Sequence, residues 1–231
     1  METSNTAPDP DWKSLYRIGG ICLFAAGVVY FVVTALMTVV PMATDAETYL
    51  RALAAHRGPA FAFFAGMALA DMLFVPAALA LYFALRHLAR TAMLLAAALL
   101  LFYAFVDLTV YEINSMAVVL LSRQDTAAAA GGAQLVLAVV PIAGCFTIAL
   151  SSAGALIASI VMLRGVFGKP TAYAGIAAAV ASLVGAFYLA FPPLEWLLLP
   201  ATIAYGLWGI LAGARLFRLG APQARAVAAA L

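Results

Sequence analysis

The chain has 231 residues, 67% of them hydrophobic and only 10% charged, with a formal net charge of +2. Soluble domains carry about half apolar and about a quarter charged residues, so an ordinary water-soluble fold is excluded. The lysines and arginines are scattered singly, which excludes a nucleic-acid surface.

Residues 1–17 are polar and broken by proline, and read as a cytoplasmic tail with Trp12 and Tyr16 at a membrane interface. The apolar run 18–40 follows. It exceeds the ~7–15-residue core of a signal peptide and ends in no small-residue cleavage site, so it predicts an uncleaved span. "TDAE" at Thr44 to Glu47 is a capping-box pattern with Thr44 as N-cap, opening a short helix that Gly58 and Pro59 would end. Lying flat on the outer membrane surface is the simpler placement for that helix, and a lid over the bundle is the alternative.

Further spans are predicted at 59–85, 91–117, 138–163, 171–191 and 195–216, before a second cytoplasmic tail at 219–231. Each approaches the roughly 20 residues that cross a ~30 Å hydrocarbon core. Runs such as "TAMLLAAALLLFYAFV" do not alternate apolar with polar residues, which excludes a transmembrane barrel. Pro76 and Pro141 fall inside spans, and Gly66 with Ala70, Gly175 with Ala179 and Gly209 with Gly213 provide close-packing faces. The expectation is an all-α integral membrane bundle of six transmembrane helices over 18–218, with a short outer surface helix.

Charge sets the orientation. Lys13, Arg17, Arg86, Arg90, Arg164, Lys169, Arg215, Arg218 and Arg225 fall on one side, against Arg51, Arg57 and Arg123 on the other. Under the positive-inside rule both termini are cytoplasmic.

Within these spans "AFVDLTVYEIN" carries the most polar residues. At about 100° per residue Tyr103, Asp107, Tyr111 and Asn114 share one helix face, whereas Glu112 points about 140° away from Asp107. Glu112 is therefore expected near the outer interface. Asp71 falls halfway along the second span, the most costly depth for a charge. No span offers a lysine or arginine near its middle to pair with it.

Three readings of these carboxyls stay open: neutral struts hydrogen-bonded between helices, a proton or cation pathway, and a site for a small amphiphile or lipid headgroup. Candidate ligand- or ion-binding residues are Asp71, Asp107, Tyr103, Tyr111 and Asn114, with Glu112 and Arg57 at the mouth. The partners expected are the lipid bilayer and a small cation or amphiphile.

Catalytic chemistry finds no support. His56 and His87 fall on opposite membrane faces, no H-E-x-x-H and no glycine-rich phosphate loop occurs, and Cys22 and Cys145 read as small buried apolar residues. No catalytic residue, metal ligand or cofactor is assigned. A lipid-acting enzyme built on a carboxyl pair is the weakest reading, since no nucleophile accompanies it.

The stretches "RIGGICLFAAGVVY", "HRGPAFAFFAGMALADMLFVPAALALYFALRHL" and "VFGKPTAYAGIAAAVASLVGA" resemble the first, second and fifth spans of a group of bacterial six-span membrane proteins known only as a domain of unknown function. This resemblance implies a bacterial inner-membrane protein, with Arg57 and Asp71 as the group's marked polar positions and Asp107 matching an acidic one. It implies no activity.

Overall fold

The computed structural model describes residues 10–36, 45–124 and 127–221. Among them no strand occurs. A 3-10 turn at Pro10–Trp12 leads into α1 (Lys13–Leu36). After it come α2 (Ala46–Ala55), α3 (Arg57–Leu85), α4 (Arg90–Val106), a π-helical turn (Asp107–Glu112) and α5 (Ile113–Leu121). The chain continues with α6 (Ala127–Met162), α7 (Lys169–Gly185), a second 3-10 turn (Pro192–Leu197) and α8 (Leu198–Gly220). Such sequences meet the demand of hydrocarbon that each backbone amide and carbonyl bond within its own helix.

Five helical rods are long and apolar enough to cross a membrane: Lys13–Leu36, Arg57–Leu85, Arg90–Leu121, Ala127–Met162 and Pro192–Gly220. Their outward faces are apolar in keeping with that; Phe105 and Ile142 are each 65% exposed. The chain is thus a helical membrane protein by length and composition. The expected fifth span, 171–191, is shorter than predicted. Helix α7 has 17 residues, about 25 Å of rise, and residues 186–190 are tight turns, with Ala186 N donating to Ser182 O and Tyr188 N to Gly185 O. Helix α6 has 36 residues and takes in most of the expected outer connection.

Around the bundle each long helix packs on its neighbours in sequence, in the order α1, α3, α4, α6, α7, α8, and α8 closes back onto α1. The α1–α8 seam is built on glycine. A methyl group placed on Gly209 would lie 3.2 Å from Gly27 Cα and 3.2 Å from Leu23 O, and Gly20 and Gly213 stand closer still to the opposing backbone. Only residues without a side chain allow that approach. At the basic end of the ring Trp12 stacks on Phe83 with ring centres 3.8 Å apart, and the Arg86 guanidinium covers Phe83 at 4.6 Å.

Helix α2 differs from expectation in both its cap and its placement. Thr44 lies outside the described residues, and the N-cap is Asp45, whose Oδ1 accepts from Thr48 N at 2.8 Å. That bond holds the exposed Asp45 carboxyl below its ordinary range. Gly58 and Pro59 do not end α2. His56 is its C-cap, and both residues fall in the first turn of α3, where proline's missing N–H has no intrahelical partner to lose. Tyr49 and Leu53 are buried, so α2 packs across the bundle end, as the lid alternative expects. Its outer face carries an exposed Arg51–Glu47 pair at 3.4 Å.

Candidate functional site

A chamber of about 460 Å³ opens inside the ring at the end covered by α2. Its wall takes Val33 from the end of α1, Phe63 and Phe64 from the start of α3, and Tyr49 from α2. Opposite them stand the α6 segment around Pro141 and Gly144, and Glu195 and Leu198 at the start of the last rod. This volume falls in the range of small-molecule sites.

The floor is set by the third rod. At the π-helical turn Ile113 N donates to Leu108 O, five residues back. A regular α-helix would swing Glu112 about 140° from Asp107. One extra residue in the turn reduces that offset, and both side chains enter the ring, where Asp107 is 6% and Glu112 0% exposed. The expectation that Glu112 reaches the interface is corrected by this turn. Such turns break regular helical bonding and recur at functional sites.

Asp71, at the midpoint of α3, joins them. Asp71, Asp107 and Glu112 each bring a carboxylate oxygen within 4.8 Å of the other two. Their satisfaction is unequal. Tyr103 Oη donates to Asp71 Oδ1 at 2.5 Å and lies 2.8 Å from Tyr30 Oη, so a chain of phenols ties α1 and α4 to the middle of α3. Thr147 of α6, whose hydroxyl donates to Gly144 O at 3.1 Å, stands beside Asp107. By contrast, Asp71 Oδ2, both Glu112 oxygens and Ser115 Oγ are buried without a partner. Among the described residues lining the chamber there is no lysine, arginine or histidine.

Aromatic rings surround the carboxyls. Phe74 meets Tyr103 edge-on at 6.1 Å, and Tyr205, whose hydroxyl donates to Ser151 O at 3.1 Å, meets Tyr30 at 5.9 Å. Tyr111 lies in the space left by Gly144, its ring 3.4 Å from where a Cβ would be. At the roof, burial pushes the Tyr49 phenol up to about 12.

Of the residues singled out from sequence, Tyr103, Asp107, Tyr111 and Glu112 line the chamber, and Asp71 lies beside it within the carboxyl cluster. Two do not belong. Asn114 is exposed, its Nδ2 donating back to Val110 O at 2.8 Å and Thr109 O at 3.1 Å within its own rod. Arg57 opens α3 but does not line the chamber. Residues missed as candidates are Tyr30, Tyr49 and Glu195. Tyr30 carried no signal, because an isolated tyrosine in an apolar run has no periodicity to mark its face. Glu195 was legible only as an acidic loop residue.

No protein-family model matches the chain, and neither a curated protein nor a solved structure matches it.

Proposed function

We propose that the chain is a multi-pass bacterial inner-membrane protein that binds a cationic ligand in its chamber. In this reading α7 is a sixth, shorter span, both termini are cytoplasmic and the chamber faces outward. The distribution of lysine and arginine supports that orientation. One observation carries the binding reading: Glu112, at zero exposure, presents two unpartnered oxygens at the floor of a cavity whose described lining holds no base. Burying a carboxyl unpaired costs several kcal/mol unless a countercharge or proton arrives. A ligand cation supplies that countercharge.

A structural role is favoured by a different observation, the bond from Tyr103 to Asp71. Asp71 is a strut in this reading and Glu112 is not. Thermal unfolding of the purified protein at fixed pH, with sodium, potassium, calcium or an alkylammonium ion, separates the two readings. A cation that reaches 100 times its Kd stabilises the folded state by about 2.7 kcal/mol, a shift of several degrees, and Glu112→Gln removes the response. No response to any of these ions would remove the binding reading and leave Asp71 as a strut.

A further inference from the structure

Three features narrow the class of cation, given the binding reading above. The chamber is large for a bare ion, and its walls are mostly apolar, with Val33, Phe63, Phe64, Met67, Val136 and Val140 among them. The three carboxyls hold six oxygens between them, enough with Ser115 for the roughly 6–8 that calcium takes, so oxygen count does not separate a metal ion from an organic ammonium and the apolar wall must. The rings of Tyr103 and Tyr111 flank the carboxyl cluster, a setting that favours an organic ammonium over a strongly hydrated metal ion.

We infer that the chamber binds an amphiphilic monoamine, its ammonium held at Glu112, Asp107 and Ser115 and its apolar tail along the wall between α3 and α6. The carboxyl cluster does not carry this alone. Ser115 Oγ, on the next helical turn from Glu112, is fully buried and unpartnered in the same chamber, and an ammonium with three donors can satisfy Glu112 and Ser115 together. A phosphoethanolamine headgroup presents the same ammonium, but its phosphate would sit among carboxyls with no base in the described lining to accept it. The tail therefore belongs to a free amine.

The test is isothermal titration of the full chain in phosphatidylcholine nanodiscs with butyl-, hexyl-, octyl- and decylamine, blanked against empty nanodiscs. Each added methylene should tighten binding about fourfold until the chamber is full, after which affinity levels off. Octanol, which shares the tail but not the charge, should bind at least tenfold more weakly than octylamine. Glu112→Gln should weaken octylamine at least tenfold. Gly144→Leu keeps every carboxyl but fills the space beside Tyr111, and should bring the levelling-off to a shorter chain; it serves as the test if the Glu112 variant does not fold.

Calcium or sodium binding that depends on Glu112, with no response to amines, would overturn the amine assignment and leave the cation site standing. Binding by neither would overturn both. Octanol binding as tightly as octylamine, or phosphatidylethanolamine in the nanodisc competing with octylamine, would overturn the assignment to a free amine.

Discussion

The α1–α8 seam and the chamber across the ring use opposite means of placing helices side by side. In the seam, glycines let backbone touch backbone, and no volume remains for a ligand or a water. Around the chamber large rings and a widened helical turn stand between α3 and α6, and polar atoms are left without partners. The difference teaches where stability and binding reside. A close-packed seam gains from every contact, whereas a site keeps groups unsatisfied until something fills it.

The largest effect is expected in the seam. Gly27→Leu drives a side chain into the backbone of α8 around Gly206 and Ile210, which cannot yield as a flexible side chain would. The expected loss exceeds about 3 kcal/mol, read as a collapse of the folded fraction in size-exclusion and thermal unfolding. A variant as stable as the wild type would refute the seam as described.

Next comes the satisfied half of the carboxyl cluster. Tyr103→Phe deletes the bond to Asp71 and the contact with Tyr30, and should lower stability by about 1–3 kcal/mol in equilibrium unfolding. The unsatisfied half should behave with opposite sign. Glu112→Met replaces two unpartnered oxygens with a side chain of similar length, so stability should rise by about 1 kcal/mol while any cation response disappears. If both variants destabilise equally, the contrast between strut and site fails.

The smallest effect is local to the roof. Asp45→Ala removes the cap of α2 and should speed amide exchange across Ala46–Ala55 while leaving the long helices unchanged; Asp45→Asn should keep the cap. Because the folded carboxyl titrates below its ordinary value near 3.9, its contribution is complete above that pH and is lost as pH falls through the lower folded value. Acid should therefore loosen α2 in the wild type, by less than the alanine substitution does at neutral pH, because a neutral carboxyl oxygen still accepts from Thr48 N as an asparagine oxygen would.

Most of the architecture was legible because hydrocarbon imposes length and composition directly. Residues 57–85 could hardly be anything but a long apolar helix, and the central position of Asp71 follows from counting along it. What escaped was set by irregular backbone. Glu112 was turned away from Asp107 by an angle that holds only for a regular α-helix, and nothing in "DLTVYE" announces the extra residue in its turn. Asn114 was placed inside by the same arithmetic. In fact it is exposed and bonds back to carbonyls of that turn. Helix α2 looked like a surface helix because Tyr49 and Leu53 suit either lipid or protein, and only the long α6 decides which of these they meet.

Closure of the ring by its last helix also bears on how the protein is made. Synthesis proceeds from the N-terminus at about 5–20 residues per second, so α1 waits on the order of ten seconds or more before α8 leaves the ribosome. Throughout that interval the groove along Gly20 and Gly27 has no cover from its own chain. A nascent chain that stops before α8 therefore keeps this glycine face without the backbone it is shaped to fit.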